Sequence, residues 1–167
     1  MKLVIIRHGI AGDREDWEAQ GHDDRLRPLT PEGRKEMQRV APGLARLVPT
    51  IDVLATSPLA RAAETAEIVA REYHSETVSL EALATEHNPE EVVRWLREQP
   101  PNQTVGVVGH EPQLSQLAGY LLTGTPASFI DLKKGGACRV DLPGAPKPGD
   151  GCLEWLLTPR ELRRLGK

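Results

Sequence analysis

The fold of this chain is decided by residues 2–9, Lys2-Leu3-Val4-Ile5-Ile6-Arg7-His8-Gly9. Apolar and mostly β-branched residues fill positions 3–6, which predicts a short strand over Lys2–Arg7 that is buried on both faces. The polar pair His8-Gly9 follows at once and ends the strand. Strands of this kind are typical of parallel sheets that are covered by helices on both sides.

The rest of the chain alternates predicted strands with predicted helices. Further strands are predicted at 51–56, 77–80, 104–109, 137–142 and 152–157. Thr30-Pro31, Ser57-Pro58, Asn88-Pro89 and Glu111-Pro112 each read as the start of a helix, and a last short helix is predicted at 159–165. We therefore expect an α/β fold of three layers, with a mainly parallel sheet and helices on both faces, in a single domain over residues 1–167.

Three local details of these elements are also predicted. Pro42 lies inside the helix that runs from Thr30 toward Val48, so it should kink or split that helix. Glu91 is placed to complete a capping box with Asn88. Residues 10–29 are polar and acidic, which predicts a solvated loop that includes the Asp23-Asp24 pair.

The composition excludes several classes of protein. The chain has 167 residues, 27% of them charged, and a formal net charge of −3, so its overall charge does not attract nucleic acid or an anionic membrane, although a local basic pocket stays possible. No apolar run is long enough to span a bilayer, and Lys133-Lys134 is too short a basic patch to indicate nucleic-acid binding. Two cysteines, Cys138 and Cys152, form neither a disulfide framework nor a metal cluster, and reduced thiols favour a cytoplasmic location.

Four polar residues follow predicted strands at the edge where ligands bind. Arg7 and His8 follow the first strand, Arg61 lies in the first turn after the second, and His110 follows the fourth. Ligands in such sheets bind beyond the carboxyl ends of the strands. Arginine offers a rigid fork of donors for phosphate, and imidazole serves as a nucleophile or an anion clamp. Each residue alone is more often structural, but together they indicate a phosphoryl-transfer pocket.

Three sequence blocks resemble those of a known family in the same order. Arg7-His8-Gly9 resembles the signature of the histidine phosphatase superfamily, which has the phosphoglycerate-mutase-like fold. The block at 57–66 is similar to the family's second block, whose arginine binds phosphate, and Val107-Val108-Gly109-His110 to its third. Arg27-Pro28-Leu29-Thr30 resembles the small branch that acts on phosphohistidine in proteins, and the short chain leaves little material for a lid over the site.

The resemblance implies a mechanism without a metal or an organic cofactor. His8 would be the nucleophile, with its far ring nitrogen held by a backbone carbonyl, and would form a phosphohistidine intermediate that water hydrolyses. Arg7, Arg61 and a protonated His110 would bind the phosphoryl oxygens.

The general acid is left open by the sequence. Family members that cleave phosphate esters use a carboxyl group to protonate the leaving alkoxide, and the candidates here are Glu81, Glu86 and Glu111. None of the three lies in a recognisable motif, and a glutamate at the start of a helix is also a routine effect of the helix dipole. The remaining histidines have no metal-ligand spacing and are expected at the surface.

Three functions remain in competition. The favoured one is a cofactor-independent phosphatase acting on phosphohistidine in a signalling phosphotransfer protein. The second is a phosphatase of small phosphorylated metabolites, and its partner would be a small phosphate ester. The third is a catalytically idle module that binds phosphoproteins, against which the intact set of Arg7, His8, Arg61 and His110 argues.

Overall fold

The computed structural model describes residues 1–167 and contains one sheet of six strands. The strands are β1 (Lys2–Arg7), β2 (Val53–Thr56), β3 (Thr77–Ser79), β4 (Thr104–Gly109), β5 (Ala137–Asp141) and β6 (Cys152–Leu157). Their order across the sheet is β3-β2-β4-β1-β5-β6. The first four strands are mutually parallel, and β5 runs antiparallel to both β1 and β6. The predicted mainly parallel sheet is confirmed.

The chain has six helices, and all but the first of them cover the two faces of this sheet. They are α1 (Arg14–Ala19), α2 (Pro31–Leu47), α3 (Ala60–Tyr73), α4 (Pro89–Arg97), α5 (Gln113–Thr123) and α6 (Pro159–Leu165). α2, α3 and α6 supply the core on one face, and α4 and α5 supply it on the other. None of these helices is both long and apolar enough to cross a membrane.

β1 shows why this sheet needs helices on both sides. Leu3 and Ile5 pack into the core beneath α4 and α5, whereas Val4 and Ile6 pack into the core beneath α2 and α3. Successive side chains of a strand point to opposite faces, so four apolar residues in a row demand two cores. The strand is central, between β4 and β5, and it delivers the residues after Ile6 to the edge of the sheet.

The segment 10–29 is more ordered than the predicted loop. It contains α1 and a 3₁₀ turn at Asp24–Leu26. Asp13 caps α1 by accepting a hydrogen bond from the backbone of Asp16, and Trp17 donates to the carbonyl oxygen of Asp23. These are polar contacts between residues that are close in sequence, so the sequence has no apolar periodicity from which α1 could be predicted.

Two helix starts differ in detail from the prediction. α3 begins at Ala60 rather than at Ser57-Pro58, because the Ser57 hydroxyl is engaged with His110 and with the backbone of Leu59. The capping box of α4 is only half formed, with the Asn88 side chain accepting from the backbone of Glu91. The Glu91 carboxylate lies instead 2.7 Å from Nδ1 of His87.

Pro42 does not split α2, which runs unbroken for 17 residues. The helix is held along its length by contact with α3 and α6. Gly43 makes the α6 contact possible, since a Cβ atom at that position would lie 1.9 Å from the carbonyl oxygen of Leu162. Tertiary packing thus outweighs the one hydrogen bond that proline removes.

Candidate active site

The fold brings the four predicted site residues together in one cleft. β1 and β4 are adjacent, and the backbone N–H of His8 donates to the carbonyl oxygen of Gly109, one residue before His110. The two imidazole rings therefore lie 5.1 Å apart between centroids. Arg61 enters from the start of α3, after β2 on the other side of β4. All four, including Arg7, line a cleft of about 580 Å³ in which the only apolar residue is Ala11.

The His8 ring is fixed by a backbone carbonyl. Its Nδ1 lies 2.7 Å from the carbonyl oxygen of Gly9, and because that oxygen can only accept, Nδ1 carries the hydrogen. The Nε2 lone pair is left without a protein partner. Gly9 itself is anchored to α3, since its N–H donates to Oγ1 of Thr65 at 3.0 Å.

Burial keeps His8 uncharged. It lowers the pKa of His8 to about 3, and the nearby charges of Arg61, Arg7 and Lys134 lower it further against the opposing effect of the Gly9 hydrogen bond. The imidazole is consequently neutral at pH 7, which is the state a nitrogen nucleophile requires.

His110 is also neutral in the anion-free site, contrary to the protonated state expected from the sequence. Burial lowers the pKa of His110 to about 2, and both the repulsion between the two rings when both are protonated and the charge of Arg61 act in the same direction. Its Nε2 lies 2.8 Å from Oγ of Ser57, while its Nδ1 is buried and has no partner.

The two arginines are held through their terminal nitrogens, Arg7 through one of them and Arg61 through both. Nη1 of Arg7 donates to the carbonyl oxygen of Leu132 at 2.9 Å. Nη1 and Nη2 of Arg61 donate to the carbonyl oxygen and the carboxylate of Asp24. The Nε atoms of both arginines are buried and have no partner.

Asp24 and Arg27 belong to this site and were missed by the sequence analysis. The Asp24 side chain is only 17% exposed and pairs with both Arg27 and Arg61, so it is not the solvated loop residue that was predicted. Arg27 lines the cleft and also donates to the carbonyl oxygen of Gly12 at 2.6 Å. The available signal was the Arg27-Pro28 motif itself, which had been used only as a mark of family resemblance.

The three candidate general acids lie at different places relative to the cleft. Glu81 is outside the cleft and forms an exposed ion pair with Arg25 at 3.1 Å. Glu86 lies in a neighbouring depression beside Arg61. Glu111 lines the cleft, but its carboxylate accepts hydrogen bonds from the backbone N–H and the hydroxyl of Ser115, so it caps α5.

The cleft is lined by positively charged side chains rather than by a set of metal ligands. No group of three or more His, Cys, Asp or Glu side chains is arranged to hold a metal ion. The donors that surround His8 are guanidinium and imidazole nitrogens, which bind anions directly.

The protein thus has a three-layer α/β fold with two histidines and two arginines at one edge of the sheet, an arrangement that suits the binding of a phosphoryl group. The sequence profile of the histidine phosphatase superfamily (branch 1) matches residues 3–88. An uncharacterized protein from Picosynechococcus sp. is 35% identical over 139 residues, which cover 81% of this chain and 82% of that protein. The chain belongs to the histidine phosphatase superfamily, and it is a phosphatase of the histidine-nucleophile type.

Two solved structures illustrate the range of substrates on this fold. The protein histidine phosphatase SixA, complexed with tungstate, superposes with a TM-score of 0.79 and 27% identity over 97% of this chain and 99% of that one. A phosphoserine phosphatase from Entamoeba histolytica, in complex with phosphoserine, superposes with a TM-score of 0.68 and 17% identity over 96% and 98% of the two chains. The second likeness bears on the fold alone.

Proposed function

We propose that the protein hydrolyses phosphohistidine on a cytoplasmic signalling phosphotransfer protein, with His8 as the nucleophile. One observation carries the proposal: a neutral imidazole, fixed through Nδ1 to the Gly9 carbonyl, has a free Nε2 in the cleft that the buried Arg61 and the half-buried Arg7 also line. The likeness to SixA supports the substrate class.

The unsatisfied hydrogen-bond donors support an oxyanion as the ligand. Six buried side-chain polar atoms lack a partner, and three of them are Nε of Arg7, Nε of Arg61 and Nδ1 of His110. Buried polar groups are nearly always paired, so a concentration of unpaired ones at one place calls for an explanation. Phosphoryl oxygens supply the missing acceptors for both arginines, and also for His110 in the tautomer that accepts at Nε2 from the Ser57 hydroxyl and carries its hydrogen on Nδ1.

The reaction balances in two steps. His8 Nε2 attacks phosphorus in line, a new N–P bond forms, and the N–P bond of the substrate breaks as its imidazole leaves and takes up a proton from solvent. Water then attacks phosphorus on His8, which releases inorganic phosphate, returns one proton to solvent and restores the neutral imidazole. Arg7 and Arg61 stabilise the charge that spreads over the equatorial oxygens.

The state of the acidic residues favours a nitrogen leaving group. An alkoxide leaving group needs a general acid, and Glu111, the glutamate of the three candidates that lines the cleft, has its carboxylate bound to Ser115. An imidazole leaving group needs less help. The absence of apolar residues from the cleft, apart from Ala11, also leaves little surface with which to grip a small ester.

A phosphatase of small phosphate esters is the second candidate, and the polar cleft of about 580 Å³ has room for such a substrate. We expect kcat/KM on a phosphorylated histidine-containing transfer domain to exceed that on small monoesters by at least about tenfold, or roughly 1.4 kcal/mol in the transition state. Phosphate release from both substrates is followed at matched enzyme concentration. Faster turnover of a sugar phosphate or nucleotide would favour the second candidate.

The nucleophile is tested by trapping the intermediate. Rapid quench during turnover should place acid-labile, base-stable phosphate on His8, and His8→Ala should abolish both the trapped phosphate and turnover. His74→Asn is the matched control, because His74 is exposed at the end of α3, outside the cleft. Full turnover in His8→Ala would refute the proposal, and binding without turnover in the wild type would indicate an idle binding module.

A further inference from the structure

Asp24 occupies one edge of the Arg61 guanidinium group. Nη1 of Arg61 donates to the backbone carbonyl oxygen of Asp24 at 3.0 Å, and Nη2 donates to its Oδ2 at 3.2 Å. Arginine has five N–H bonds in a rigid plane, two on each terminal nitrogen and one on Nε. Asp24 therefore takes one hydrogen from each terminal nitrogen and leaves the side edge, formed by Nε and one terminal nitrogen, free to bind an anion.

Asp24 is itself held from its other side. Its Oδ1 accepts a hydrogen bond of 2.8 Å from Nε of Arg27, whose Nη1 is fixed to the carbonyl oxygen of Gly12. Arg14 lies 3.9 Å from the same carboxylate oxygen. The carboxylate is thus clamped between the walls of the cleft rather than loosely placed against Arg61.

Asp24 is charged at neutral pH. Burial by itself would raise the pKa of the carboxyl group, but the Arg27 hydrogen bond and the charges of Arg61 and Arg27 outweigh burial and bring the pKa below its ordinary value. Two opposite functions are open to a carboxylate in this place. It either orients Arg61, or it stands where a phosphoryl oxygen should bind and competes with the substrate.

The geometry points to orientation: we propose that Asp24 is a positioning residue, which holds Arg61 by its end edge so that the Nε edge faces the phosphoryl group. One of its two contacts comes from the backbone carbonyl, which an incoming anion cannot displace by turning a side chain. The Nε atom that the anion needs is already unpartnered. This inference rests on the phosphate site proposed above.

The direction in which Asp24→Asn changes the Kd for an oxyanion distinguishes orientation of Arg61 from competition with the substrate. Asp24→Asn removes a negative charge beside an anion site, so electrostatics alone would tighten the binding of an oxyanion. Asparagine, however, replaces one carboxylate oxygen with an NH₂ donor, so the separate contacts of Arg27 with Oδ1 and of Arg61 with Oδ2 cannot both be kept. If Asp24 positions Arg61, we expect the Kd for tungstate or inorganic phosphate, measured by calorimetry, to rise about tenfold or more, and kcat/KM to fall by roughly ten- to a hundredfold.

Control variants distinguish the loss of Arg61 orientation from a general structural effect of Asp24→Asn. Asp141→Asn removes the carboxylate of another partly buried arginine pair, with Arg139 on β5, and should leave the oxyanion Kd unchanged. In an Arg61→Lys background, Asp24→Asn should change Kd less than about twofold, because an ammonium group has no edge to orient. Arg27→Lys loosens Asp24 from its other side and should weaken oxyanion binding in the same direction.

The outcomes are distinct. Equal or tighter oxyanion binding by Asp24→Asn overturns the positioning function while leaving the phosphate site in place. An equal effect of Asp24→Asn with and without Arg61 overturns it as well. Failure of the wild-type protein to bind either oxyanion overturns the proposed site and this inference together.

Discussion

Two buried histidines make the stability of this protein depend on pH in a calculable way. The pKa values of His8 and His110 are lowered from 6.5 to about 3 and about 2, chiefly by burial. Between those pKa values and pH 6.5, the two histidines bind protons in the unfolded chain but not in the folded chain. The free energy of unfolding is therefore highest above pH 6.5 and decreases as the pH falls below it. At pH 5, which is about 1.5 units below the unfolded value, each histidine costs about 2 kcal/mol, or about 4 kcal/mol for the pair.

Urea unfolding at pH 7 and pH 5 measures this cost directly. We expect His8→Asn and His110→Asn each to lose about 2 kcal/mol less than the wild type over that interval. His74→Asn should lose as much as the wild type, because His74 is exposed. The same pH dependence in the wild type and both cleft variants would refute the claim that these imidazoles are buried in the neutral state.

Three further predictions concern the site and the scaffold. Arg61→Ala should lower kcat by roughly two orders of magnitude in steady-state phosphate release, and Arg61→Lys should restore only part of it, since an ammonium group lacks the fork. Gly43→Ala should lower the free energy of unfolding by about 1–3 kcal/mol, because its Cβ would lie 1.9 Å from the Leu162 oxygen, whereas Gly144→Ala, with open space around it, should have little effect. Turnover should survive exhaustive dialysis against a chelator, as the donors in the cleft bind phosphate directly, and inactivation reversed by one metal would contradict this.

The sheet and the four cleft residues could be predicted because each rests on a local signal. Leu3–Ile6 are apolar without interruption, which only a strand buried on both faces explains economically. Arg7 and His8 follow that strand directly, and His110 follows β4. Parallel strands place their carboxyl ends at one edge, so topology alone converts separation in sequence into proximity.

The neighbourhood of Asp24 could not be predicted because nothing local distinguishes it from Asp23. Asp23 caps the 3₁₀ turn and is exposed, whereas Asp24, one residue later, points into the site. The difference comes from Arg61, which lies 37 residues away in sequence. When the partner of a polar residue is so distant in sequence, no local pattern predicts the contact.

Ser57 and Glu111 show the same limit at the helix starts. Both were predicted to start a helix, and the Glu111 carboxylate does accept a hydrogen bond from the backbone N–H of Ser115 in the first turn of α5. Ser57 instead binds Nε2 of His110, and α3 begins three residues later, at Ala60. Ser57 contacts His110 because β4 pairs with β2 and so places His110, which follows β4, beside Ser57, which follows β2.

The neutral His110 and the protonated one expected from the sequence describe two states of the same site. Burial, the charge of Arg61 and the repulsion between the two rings when both are protonated hold the pKa of His110 near 2. A phosphoryl dianion against Nδ1 introduces negative charge beside the ring and gives its buried nitrogen a partner, and both effects raise the pKa. Proton uptake by His110 is therefore coupled to phosphoryl binding in the proposed mechanism. The protein can keep His8 neutral for attack and still bring an additional positive charge to the phosphoryl oxygens once they arrive.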